Sequence, residues 1–167
     1  MKRYDDQELK VVSKHFVVHP QIATDAALAT CAANDQGKFA QFEHAIWDKA
    51  WDKSEPRMRL DQAALTADAM HKLAAELGLD VQRFKATMTG KECKTKLGLQ
   101  AQQWRTLGVN GTPAIFINGM YYVGPRTADG LEQAIDAELA KADAALTKGV
   151  KIEELYASLV QRGKKTP

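Results

Sequence analysis

Apolar residues in this chain recur with two spacings, and the switch between them divides the sequence. Residues 9–18 read Leu9-Lys10-Val11-Val12-Ser13-Lys14-His15-Phe16-Val17-Val18 and stop at His19-Pro20. A run this rich in β-branched and apolar side chains predicts a strand, reached through a short polar, helix-compatible stretch at 2–7. A long helical block follows. Residues 25–33 are alanine-rich, with Leu28 and Cys31 on one side, and Asn34 and Gly37 end the helix. Phe39, Phe42, Ile46 and Ala50 then recur at three and four, a single apolar stripe that Trp47 and Trp51 extend. After a connection at Ser54-Glu55-Pro56, Asp61 is placed to cap a helix carrying Leu65, Ala69, Leu73 and Leu77 on one face. Gly78 stands where a left-handed residue closes such a helix, and Asp80 opens a short one containing Val81 and Phe84. A further helix spans 91–107, with Cys93, Leu97, Ala101 and Trp104 inward and Gly108-Val109 closing it.

The spacing then changes. Ala114-Ile115-Phe116-Ile117 and Met120-Tyr121-Tyr122-Val123 flank Asn118-Gly119, the strongest short signal for a two-residue hairpin turn, because both central residues need positive φ. Both arms are apolar at nearly every residue, which predicts a sheet covered on both faces. Gly124-Pro125 breaks the second arm, and Thr127 caps a helix with Leu131, Ile135 and Leu139 in register. A tail helix at 152–162 follows, with Leu155 and Leu159 as its contacts. A strand and a hairpin separated by a helical block predict an α/β layered domain, one sheet with a helical insertion at about 21–107.

Composition narrows the function classes. The chain has 167 residues, enough for one domain with a real core. It is 45% hydrophobic and 26% charged, which excludes disorder as the default state. A net charge of +2 gives no basis for nucleic-acid binding, and no apolar run approaches the roughly 20 residues of a membrane span. Met1-Lys2-Arg3-Tyr4-Asp5-Asp6 has no apolar stretch behind its charges, unlike a secretory signal. Of the candidate chemistries, His15, His19, His44 and His71 show no metal-binding spacing, no phosphate-cradling glycine loop stands out, and no metal or cofactor is implied. The basic tail (Lys148, Lys151, Arg162, Lys164, Lys165) reads as a solvated surface, with docking to another domain as the second choice. Cys31 and Cys93 are the two cysteines. They form either one structural disulfide closing a long loop or two buried thiols.

Gly108-Val109-Asn110-Gly111-Thr112-Pro113-Ala114-Ile115-Phe116-Ile117-Asn118-Gly119 resembles the second half of a thioredoxin-like fold, and specifically the DsbA family of thiol-disulfide oxidoreductases. Val11-Val12-Ser13-Lys14-His15-Phe16, Gln36-Gly37-Lys38-Phe39 and Leu77-Gly78-Leu79-Asp80 are similar to that family too, so the likeness covers about 5–145. It implies a thioredoxin-fold domain over 1–146 followed by the tail at 147–167. It also implies a cis peptide bond before Pro113, with the main chain of Thr112 free to pair with an extended protein or peptide substrate. A plain turn entering an edge strand is the simpler alternative at Thr112-Pro113. The family is mostly extracytoplasmic in bacteria.

One departure matters more than the match. The family pattern opens with a strand and a Cys-x-x-Cys at a helix start, where the helix dipole activates the first thiol. This sequence contains no Cys-x-x-Cys, so the resemblance implies a thioredoxin-like sheet that is incomplete at its N-terminal side, with the redox pair lying upstream of the residues shown. No residue of the chain is then assigned as catalytic. A second copy supplying strands by domain swapping, giving a homodimer, is one way to close such a sheet. Cys31 and Cys93 are expected mid-helix, away from any helix start; Lys91, Lys94 and Lys96 would draw an exposed Cys93 mildly toward thiolate. Two functions fit: a thiol-disulfide oxidoreductase domain, inactive without its cysteine pair, or a non-catalytic peptide-binding module.

Overall fold

The structure is a computed structural model and describes residues 4, 9–52, 59–161 and 163. The stretch at 2–7 (Tyr4 apart), the connection at Ser54-Glu55-Pro56, and tail residues Arg162, Lys164 and Lys165 lie outside the described residues. Seven α-helices and two short antiparallel ladders are described. In chain order these are α1 (Pro20–Asp35), α2 (Phe39–Ala50), β1 (Trp51–Asp52), β2 (Arg59–Leu60), α3 (Ala67–Glu76), α4 (Val81–Thr89), α5 (Lys91–Thr106), β3 (Phe116–Ile117), β4 (Met120–Tyr121), α6 (Ala128–Thr147) and α7 (Ile152–Val160). They fall into two compact units, Lys14–Gln103 and the described residues of Met1–Ser13 with Trp104–Pro167.

The helical unit is built around α1, whose alanines let neighbouring helices approach closely. Ala29, Ala32 and Ala33 are fully buried, and α2, α3 and α4 pack around them. Phe42 of α2 and Phe84 of α4 fill the centre, neither exposed, their ring centroids 5.3 Å apart. Met70, Leu73, Leu79, Met88 and Cys93 complete this core. The helix ends follow the local chemistry. Asp80 accepts the N–H of Arg83 to cap α4, while Gly78 takes φ +70° to end α3, with Leu79 buried beyond it. The Gln36 side chain brackets Asp80, accepting its N–H (2.9 Å) and donating to its C=O (3.1 Å).

Five expectations change. Asp61 caps only a 3₁₀ turn, Gln62–Leu65; Thr66 caps α3 instead, its hydroxyl accepting the N–H of Ala69. Trp47 does not extend the buried stripe of α2. It is one residue, about 100°, past Ile46, so it points to solvent (55% exposed) and stacks on Trp51 at 5.9 Å. Cys93 is not mid-helix: α5 starts at Lys91, so Cys93 lies in its first turn. Residues 9–18 take part in no ladder among the described residues, and Val11 and Val12 are exposed. A strand needs a partner for its N–H and C=O groups, and β-propensity alone does not supply one. The hairpin likewise stands as a two-stranded ladder with no third strand among the described residues, its own strands at most half-buried and Val123 86% exposed.

Candidate functional site

The second unit presents the loop that the sequence singled out. At the end of α5, Gly108 and Val109 donate to the carbonyls of Arg105 and Trp104, and Val109 is buried. This closure turns the chain into residues 110–115, where Asn110, Thr112 and Pro113 are exposed. The Thr112–Pro113 peptide bond is cis. Proline has no N–H to give, and among the described residues neither the N–H nor the C=O of Thr112 has a main-chain partner. The ladder starts only afterwards: Tyr122 donates to the carbonyl of Ile115 at 2.8 Å, and Phe116 and Ile117 pair with Tyr121 and Met120. Asn118 (φ 45°) and Gly119 (φ 80°) form the turn.

Aromatic packing holds the hairpin. Trp104 stacks on Phe116 at 5.7 Å, and Phe116 meets its cross-strand neighbour Tyr121 edge-on at 5.2 Å. Beyond β4, the Tyr122 hydroxyl donates to the carbonyl of Pro125 at 2.7 Å, fixing the bend that leads to α6. A pocket of about 180 Å³ lies between loop and bend, lined by Val109, Asn110, Gly111, Thr112, Pro113, Tyr121 and Arg126. The structure therefore brings Thr112 and Pro113 together with three polar residues that sequence reasoning missed: Asn110, Tyr121 and Arg126. The Gly124-Pro125 break before the Thr127 cap marked the bend, but nothing local showed that it faces the 110–113 loop.

The cysteines are elsewhere. Cys31 and Cys93 form a disulfide between α1 and α5 within the helical unit, and no free cysteine exists among the described residues. Cys93 is 1% exposed, and Lys96 is engaged by Glu92 at 2.6 Å, which holds the Lys96 ammonium above its ordinary pKa. No thiolate is being prepared there. His15 is also structural. Its ring is half-buried, with Nε2 3.0 Å from the Thr30 hydroxyl, which itself donates to the Ala27 carbonyl. The imidazole N–H therefore donates to Thr30, and burial holds the His15 pKa below its ordinary value. Among the described residues, no three His, Cys, Asp or Glu side chains come together as a metal cage. A larger depression of about 920 Å³ in the helical unit is lined by Asp48, Lys49, Trp51, Arg59 and Asp61 among others, with no cysteine, histidine or serine among the described residues of its wall.

Comparison with known proteins agrees with this geometry. Residues 7–136 match the family described as DSBA-like thioredoxin domain. The chain is 30% identical over 135 residues to a protein of Mycolicibacterium vanbaalenii named Na(+)/H(+) antiporter NhaA 1, covering 78% of this chain and 20% of that one. It is 28% identical over 135 residues to the probable disulfide bond formation protein D of Bacillus anthracis, covering 78% of this chain and 59% of that one. The chain thus spans about a fifth of the length of the antiporters it matches and 59% of the disulfide bond formation protein. No solved structure matches it significantly.

Proposed function

This chain belongs to the DSBA-like thioredoxin domain family of thiol-disulfide oxidoreductases, and on that footing we propose that it binds extended polypeptide at the loop formed by Thr112 and Pro113. The guest would add as a short strand, its main chain pairing with the N–H and C=O of Thr112. The observation that carries this reading is that, among the described residues, neither main-chain group of Thr112 has a main-chain partner, on an exposed loop beside a pocket. In the family, exchange runs through a mixed disulfide on a Cys-x-x-Cys. This sequence holds no such pair, and its two cysteines are bonded to each other. The chain by itself is therefore a docking domain without redox turnover, acting on protein or peptide thiols only where a cysteine pair is provided beside it.

The bonded cysteines also favour, for the chain alone, the reading as a non-catalytic peptide-binding module. They fit an oxidising, extracytoplasmic compartment as well. Among the described residues no helix is long and apolar enough to cross a membrane. A homodimer formed by strand exchange through residues 9–18, which join no ladder among the described residues, stays part of the proposal, and the mass of the particle in solution tests it.

The decisive experiment is a titration of the ¹⁵N-labelled chain with an extended, thiol-blocked peptide. Amide shifts concentrated at 110–115 and 121–126 are expected; no shift there, with shifts elsewhere, rejects the reading. In parallel, the chain is expected not to reduce insulin disulfides, and robust turnover would overturn the absence of redox activity and turn attention to Cys93.

A further inference from the structure

We propose that the pocket beside Thr112 contains a carboxylate subsite built on Arg126, selecting guest polypeptides that carry an acidic group close to the docked segment. The inference rests on the docking reading above and adds the class of substrate. Among the described residues Arg126 is the one charged member of the pocket wall, and no Asp or Glu lines it. Among the described residues no carboxylate pairs with Arg126, whereas Arg83, on the other unit, is held by Asp35 through contacts of 2.9 and 2.7 Å. Asn110, Thr112 and Tyr121, the other polar wall residues, carry no charge.

The bend that presents Arg126 is rigid by construction. The Tyr122 hydroxyl is bonded to the Pro125 carbonyl. A Cβ on Gly124 would lie 2.5 Å from the Tyr122 ring, and one on Gly130 would lie 2.5 Å from the Pro125 oxygen. Close packing on both sides thus fixes residues 124–130, so the guanidinium starts from an ordered backbone. Its planar fork suits a carboxylate, which it can grip through two parallel N–H···O bonds. In an extended guest, alternate side chains point the same way, so a side-chain carboxylate within two residues of the docking point can reach the wall. The terminal carboxylate of a guest ending there carries the same chemistry.

Three hexapeptides with a central S-methylated cysteine, which blocks exchange with Cys31–Cys93, separate the cases by fluorescence anisotropy. One carries Glu beside the cysteine with an amidated end, the second Gln with an amidated end, the third Gln with a free terminal carboxylate. A carboxylate peptide is expected to bind about three- to fivefold more tightly than the neutral one at low salt, the advantage shrinking as salt screens it. Whether the first or the third peptide carries the gain over the second identifies the source of the carboxylate. Arg126→Gln is expected to bring the favoured peptide down to the neutral one, and Arg126→Lys to keep part of the preference. Equal affinity of all three, with shifts still at Thr112, overturns the subsite and leaves docking intact. No binding by any of them overturns both.

Discussion

Cys93, in the first turn of α5, is bonded to Cys31 of α1, and it is the one buried residue that α5 contributes to the helical core. Their separation of 62 residues means that the bond removes much of the freedom of the unfolded chain. Replacing both cysteines with alanine, or reducing the bond, is expected to lower the unfolding free energy by about 4 kcal/mol. Urea melts of the same chain with and without reductant measure this. A loss below about 1 kcal/mol would mean that the unfolded chain is already compact around this loop.

Two glycine-to-alanine changes are expected to differ in sign. Gly130→Ala drives a methyl against the Pro125 carbonyl and the Tyr122 hydroxyl, at 2.5 and 2.9 Å, and should cost about 1–3 kcal/mol. Gly98 lies within α5 with nothing within 4 Å of an added Cβ. Gly98→Ala should therefore stabilise by about 0.5–1 kcal/mol. Thermal melts of the two variants decide it, and equal signs would contradict the packing at the bend.

His15 supplies a pH dependence. Burial disfavours its protonated form, so the unfolded chain binds the proton more readily than the folded one. Stability from this residue is complete above its ordinary pKa of about 6.5 and is lost as the pH falls below that toward the lowered folded value. Urea midpoints between about pH 7.5 and 5 should decline in the native chain and flatten in His15→Gln. An unchanged slope in the variant would place the effect on another histidine.

Asp80→Ala removes the oxygen that accepts the Arg83 N–H at 3.0 Å. The expected loss is about 1 kcal/mol, read from the same melts. The Gln36 side chain bonds the main chain of residue 80 and not its carboxylate, so that clamp survives the substitution. A loss well above about 2 kcal/mol would show the clamp failing with the cap.

What could be read from the sequence was local. Asn118-Gly119, Gly78, Asp80 and Thr127 each act through their own backbone or one three residues on, and each is found doing so. Residues 9–18 had the composition of a strand, but pairing depends on a partner distant in sequence, and propensity carries no information about it. Asp61 lost α3 to Thr66 because two capping residues competed, and spacing could not rank them. At the candidate site, Thr112 and Pro113 were visible through a family likeness carried by contiguous residues. Arg126 was not, since only the folded bend brings it to the same pocket.

Gly119 also has a neighbour far along the chain: a Cβ there would come within 3.2 Å of Val160 in α7. Hairpin tip and final helix are thus bound to vary together through descent. A lineage that trims the helix lifts the spatial veto at 119 and leaves only the conformational one, which Asn or Asp can meet. In aligned relatives, a residue other than glycine at that tip should accompany an altered or missing last helix.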